Sequence, residues 1–308
     1  MTRLISTATL LQSSVNFKEL TLNQYRQLLK CFIGDDISPA FIFSNTNSII
    51  KELTDLTQYQ IDNLSFLDYC ILLFYIRLVS IGDTVFLTVE TPENKQLKID
   101  LRTSKVIEQI TKSKVIDLLQ PEINDHCEIE FRLPSIKEIL FLEQEEDLYN
   151  IYTFFLKTLK ISNTIINLED FSYKDREEII QKIPIRVMTS LTKRTHSLIE
   201  TCNEINLLDF LKSKTFDKKL ILTLNSQLIS FVIKLIYNTS LESVYDFMFA
   251  LSKFANLSCS FLDECSPGEF FLFSKKLEEV SFKQTQPETA RSSSNNELPP
   301  IVSEFGLE

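Results

Sequence analysis

The stretch Leu64 to Asp83, LSFLDYCILLFYIRLVSIGD, is apolar at most positions and charged only at Asp68, Arg77 and Asp83. A helix with one apolar stripe lies on a core, whereas one that is apolar nearly all round has to be buried nearly all round. The stretch is too short and too charged to cross a bilayer, which takes about 20 mostly apolar residues. Ser65 followed by Asp68 is a capping-box pattern, in which the hydroxyl takes one orphan backbone N–H and the carboxylate another. The helix is expected to begin near Phe66 and to stop near Gly82. It is read as the central helix of the core.

Other periodic segments surround it. Residues 1–16 are broken in pattern and read as a weakly ordered arm. Thr21 and Gln24 form a capping box for a helix whose apolar face is Tyr25, Leu28, Leu29 and Phe32, ending at Gly34. A second helix starts at Pro39, a favoured first-turn residue, and runs to about Leu56. Thr57 with Gln60 caps a short third. After Gly82 the period falls to two: Val85, Leu87 and Val89, then a Thr91–Asn94 turn, then Leu97, Ile99 and Leu101, which predicts a hairpin. A short helix is expected over 103–112. Val115–Leu119 and Glu128–Leu133 read as a further strand pair.

From Pro134 to Val280 the pattern is almost wholly helical, with spans expected at 136–143, 146–160, 173–182, 185–202, 204–213, 217–237, 240–257 and 267–280. In the segment 217–237 a polar stripe of Thr223, Ser226, Gln227, Ser230 and Lys234 faces away from Leu220, Leu224, Leu228, Phe231, Val232 and Leu235. Leu241, Val244, Tyr245, Met248, Leu251 and Phe254 are read as the core face of the next helix. Ser266-Pro267-Gly268-Glu269 is a helix start, with Ser at the N-cap and Pro at the first position. The predicted fold class is α+β, mainly α. A small N-terminal β-hairpin element lies around a buried helix, followed by a helical C-terminal half and a disordered tail. The predicted division is a flexible arm over 1–16, an α+β domain over 17–134, a helical domain over 135–282 and a disordered tail over 283–308.

Composition narrows the chemistry. The formal net charge is −10, which disfavours a general nucleic-acid or anionic-membrane surface, since phosphate binding needs concentrated Lys and Arg. Four glycines in 308 residues leave little for phosphate-cradling loops, and no nucleotide-binding glycine motif occurs. Six scattered cysteines, without a C-x-x-C, read as free and mostly buried thiols of a reducing compartment. The opening residues contain no convincing signal-peptide core, so an intracellular chain without membrane spans is expected.

Candidate catalytic groups are sparse. His126 stands beside Cys127, which supplies two metal ligands where zinc takes three or four. His196 lies mid-helix. No nucleophile elbow flanks any serine or cysteine. The acidic run Glu143, Glu145, Glu146 and Asp147 reads as a solvated helix end, and Arg186, Lys193 and Arg194 make too small a cluster for nucleic acid. No cofactor, metal or catalytic residue is expected. The candidates for partner binding are the aromatic run Phe270, Phe271 and Phe273, whose alternative is a place in the core, and Ile301, Val302 and Phe305 in the tail motif IVSEFGLE.

Three stretches together resemble the baseplate hub assembly proteins of T4-like contractile-tailed phages: Phe17–Asp36, Asn47–Leu87 and Leu241–Glu279. In that family an apolar helix runs into an Arg–small–Ile–Gly turn and a hairpin, and a later helical half closes with a Pro–x–Glu helix start. The resemblance implies a non-enzymatic tail morphogenesis factor. It would bind hub or tape-measure proteins and promote hub assembly in the host cytoplasm. The alternatives are a structural hub subunit retained in the virion baseplate, and an enzyme whose site the sequence does not display.

Overall fold

The computed structural model describes residues 4–33, 38–90, 96–124, 127–138, 153–161, 164–204, 233, 237 and 239–285. The chain order is β1 (Ile5–Thr9), β2 (Ser14–Lys18), α1 (Leu22–Lys30), α2 (Pro39–Leu53), α3 (Gln58–Asp62), α4 (Phe66–Ser80), β3 (Thr84–Glu90), β4 (Gln96–Arg102), α5 (Thr103–Thr111) and α6 (Val115–Leu118). It continues with β5 (Glu122–Asn124), β6 (Cys127–Phe131), β7 (Leu156–Ile161), β8 (Thr164–Asn167), a 3-10 turn (Leu168–Asp170), α7 (Tyr173–Gln181), α8 (Ile185–Glu204), α9 (Leu241–Phe254), α10 (Cys259–Glu264) and α11 (Pro267–Thr285). This is the expected mainly helical α+β class. Among the described residues no helix is long and apolar enough to cross a membrane.

The central helix α4 is the axis of the core. Eleven of its 15 residues are buried, Arg77 and Ser80 included. Arg77 is tolerated inside because it donates to the Thr84 carbonyl at 2.8 Å, tying the end of α4 to the start of β3. Burial pulls its pKa down, opposed by Tyr25, Tyr237 and Asp83 nearby. Ser80 accepts the Leu20 N–H at 2.8 Å. At the other end the Ser65 hydroxyl accepts the Asp68 N–H, as the sequence predicts. The carboxylate does not complete the box. It accepts the Leu11 N–H at 2.7 Å and the Ser65 hydroxyl at 2.7 Å. The orphan N–H of the next residue, Phe66, is taken by the Pro134 carbonyl at 3.0 Å.

The expected arm is corrected here. Residues of the 1–16 stretch pair in the antiparallel hairpin β1–β2, with Ala8 set against Val15 and Ser6 against Phe17. Ala8, Leu10, Val15 and Phe17 are buried against the core, and Phe17 also bridges to Thr54. The helices that follow start where the capping residues say. Thr21–Gln24 and Thr57–Gln60 make complete boxes, and Ser38 caps α2 ahead of Pro39. The hairpin β3–β4 forms in register from Thr84↔Arg102 to Glu90↔Gln96.

Three further expectations change. Val115–Leu118 is a helical turn, whose end carbonyls are met by Arg194: the guanidinium donates to Leu118 at 3.0 Å and Asp117 at 2.9 Å. The strand partner of β6 is β5, which lies between the two segments read as a strand pair. Residues 156–161 form a strand where a helix over 146–160 was predicted, because LKTLKI pairs with β6 on one side and β8 on the other. The result is a four-stranded antiparallel sheet in the order β5-β6-β7-β8. This sheet spans the predicted boundary at 134/135, and Ser65 bridges Ser135 across it as well. The segments 204–213 and 217–237, apart from Glu204, Ile233 and Tyr237, and the tail from 286 lie outside the described residues.

The last three helices close over the first. Leu22 donates its N–H to the Cys265 carbonyl at 2.8 Å, and Arg26 pairs with Asp263. Ser266 and Glu269 form the expected box at the start of α11. There Gly268 lies so near the end of α4 that a Cβ would come 3.1 Å from the Ser80 carbonyl oxygen.

Candidate interaction surface

Of the sequence-predicted aromatic candidates, Phe270 is fully buried. Its ring meets Phe271 edge-on at 5.4 Å and Phe247 at 6.5 Å. Phe271 is half-buried and stands perpendicular to Tyr25 at 6.2 Å; Phe273 is half-buried beside Phe261 at 6.3 Å. The helix periodicity of α11 turns Phe270 and Ser274 inward and leaves Leu272, 54% exposed, on the outside. Phe270 is thus a core residue with no free surface, and Phe271 and Phe273 are partly covered. Ile301, Val302 and Phe305 lie outside the described residues.

The exposed aromatic face is on α9. Val244, Met248 and Leu251 face the core, while Tyr245 is 42% exposed and Phe249 and Phe254 are each 67% exposed. Tyr245 and Phe254 had been assigned to the core stripe by their spacing, and this is corrected: the buried stripe of α9 is narrower than the apolar pattern. Cations sit over these rings. The Arg26 guanidinium is 5.4 Å from the Tyr245 centroid, and the Lys253 ammonium is 5.5 Å from Phe249 and 5.2 Å from Phe254. Just past the end of the helix Asn256 takes a φ of 56°, which lets the Leu257 N–H turn back to the Leu251 carbonyl.

A second feature is an open polar cleft of about 370 Å³ at the start of α4, lined among others by Leu11, Asp68, Glu130, Arg132, Lys157 and Glu169. Burial raises the pKa of Asp68, opposed by the Leu11 N–H and the Ser65 hydroxyl. Behind the cleft Glu138 accepts two bonds from Arg132 and one at 2.9 Å from Arg176. Burial would raise its pKa, but the two guanidiniums and the Ser135 N–H outweigh it and hold the carboxyl below its ordinary range. Arg132 reaches Glu138 and Glu169, Arg176 reaches Glu138 and Lys157 reaches Glu130, so these ion pairs cross-brace the end of β6 to the connection leading into α7.

Other sequence candidates are dispersed. His196 is exposed on α8, far along the chain from any other candidate ligand; His126 and the run Glu143–Asp147 lie outside the described residues. Among the described residues no three His, Cys, Asp or Glu side chains cluster as a metal site. Cys31, Cys70, Cys127 and Cys265 are buried, Cys259 is exposed, and none of the five is in a disulfide. Arg194 is taken up by α6 and lies 6.0 Å from the Phe131 ring, while Arg186 and Lys193 are exposed singly.

No curated protein and no solved structure matches the chain. The family model described as T4 bacteriophage base plate protein matches residues 1–207, which takes in the central helix, the three sheets and α8 and stops short of α9–α11. With well over half of its 308 residues matched, the chain belongs to the T4 bacteriophage base plate protein family.

Proposed function

We propose that this chain is a non-enzymatic tail morphogenesis factor that binds hub or tape-measure proteins and promotes assembly of the baseplate hub in the host cytoplasm. The observation that carries the reading is membership of a base plate protein family. The exposed aromatic residues of α9, with Arg26 over Tyr245, support it, because aromatic side chains and arginine are the usual anchors of protein interfaces. Such a factor lowers an assembly barrier by binding, with no bond made or broken.

The test is quantitative mass spectrometry of purified virions and of infected lysate, with affinity capture from the lysate. An assembly factor is abundant in lysate, is captured with hub or tape-measure proteins, and is missing from virions. Retention at constant stoichiometry with tail proteins makes it a structural hub subunit instead. Association with no tail protein in either sample overturns both. The tail motif is tested separately by deleting 283–308: unchanged capture removes Ile301, Val302 and Phe305 from the binding surface.

A further inference from the structure

The outer face of α9 has an order along the helix as well as a composition. Glu242, Asp246, Phe249 and Lys253 follow one another at spacings of four, three and four residues, so at 3.6 residues per turn they form one stripe. Tyr245 flanks it. All five side chains are exposed. The amino-terminal half of the stripe is acidic, its middle is aromatic and its end is basic. Lys253 lies over two rings, and neither Lys253 nor Glu242 has an opposite charge within ion-pair distance among the described residues.

A stripe that runs acidic, aromatic, basic is the complement of itself read backwards. We propose that α9 docks on α9 of a second copy of this chain, antiparallel about a two-fold axis passing between Phe247 and Met248. In that register Glu242 meets the partner's Lys253, and Asp246, one turn on, flanks the same ammonium. The two charge sets repeat on the other side of the axis, as an isologous interface requires. Phe249 of each copy lies within two residues of the axis, its ring against the aliphatic stem of the partner's Asp246, with Tyr245 at its side as a second aromatic anchor. The antiparallel arrangement also sets each helix N-terminus beside the partner's C-terminus, so the helix dipoles attract. The contact is a single helix face, smaller than the roughly 800 Å² per partner of a standard stable interface, so association is weak and concentration-dependent. The proposal is independent of the role in hub assembly.

Sedimentation equilibrium of the full chain between about 1 and 100 µM, the range suited to a small interface, tests it. The wild type is expected to shift from the 35.8 kDa chain mass towards twice that value. Phe249→Asp is expected to hold it at the monomer mass. Glu242→Lys and Lys253→Glu are each expected to weaken the dimer by about tenfold, and the double reversal to restore it, since each carboxylate again meets a cation. The side chains are exposed, so circular dichroism melts should superpose on the wild type. A monomer throughout the range overturns the proposal. So does a dimer that Phe249→Asp leaves intact, or a double reversal as weak as the two single changes combined.

Discussion

Phe270 and Phe249 stand 21 residues apart and form an internal control. Phe270→Ala removes a fully buried ring: the lost transfer free energy is about 2–3 kcal/mol. The cavity between Phe247 and Phe271 adds to it, since the α11 backbone is held by the Ser266–Glu269 box and by the close approach of Gly268 to Ser80. The total expected is about 3–5 kcal/mol. Phe249→Ala removes a ring that is 67% exposed, and a surface change of this kind stays within about 0.5 kcal/mol. For a chain of this size the first corresponds to a fall in Tm on the order of 10 °C and the second to about 1–2 °C. The assay is urea unfolding followed by far-UV circular dichroism, at a concentration low enough for the monomer. Equal losses for the two variants, or a Phe270→Ala loss under about 1 kcal/mol, would refute the assignment of Phe270 to the core.

Two carboxylates should pull stability with pH in opposite directions. Glu138 has its pKa lowered by Arg132, Ser135 and Arg176, so its stabilisation is present above the unfolded value and is lost as pH falls through the folded one; Glu138→Gln should cost about 3 kcal/mol at pH 7 and flatten the acid limb of a Tm–pH curve below about pH 4.5. Asp68 has its pKa raised by burial, so its contribution is full below the unfolded value near 3.9 and is lost as pH rises through the folded one. Asp68→Asn keeps an oxygen for the Leu11 N–H and should remove a rise in stability on going from neutral to mildly acid pH, read in the same melts. Gly268→Ala should lower stability by about 1–3 kcal/mol, because its Cβ meets a backbone oxygen that cannot swing aside; an unchanged melt would show that α4 and α11 pack less tightly.

What could be read from the chain was whatever was decided locally. Thr21, Thr57, Ser65 and Ser266 mark helix starts because each hydroxyl serves an N–H within three residues. The central helix was legible because its apolarity leaves no face for water. The hairpin β1–β2 was not, since the small residues of ISTAT become a strand only when α4 lies beneath Ala8 and Thr54 beside Phe17. Residues 156–161 carry leucines three apart, a helical spacing, and the sheet partners β6 and β8 override it. The division within the aromatic run of α11 was illegible for a similar reason. Phe270, Phe271 and Phe273 look alike in sequence, and which of them is covered depends on Tyr25 and Phe247, far away along the chain.

The bond between Leu22 and Cys265, with the ion pair between Arg26 and Asp263, bears on how the chain comes into being. These partners are 237 residues apart for the ion pair. At synthesis rates of about 5–20 residues per second, α1 waits roughly 12 to 47 s in the cell before its cover emerges. The sheet repeats the delay on a smaller scale, since β6 has no β7 until residue 161 is made. A nascent chain with Leu22 and Tyr25 bared for that long is prone to sticking, and contacts of such long sequence separation make for slow folding. A ribosome-bound chain stalled before residue 240 should therefore be held by host chaperones and degraded by protease, and one stalled well beyond residue 285 should resist.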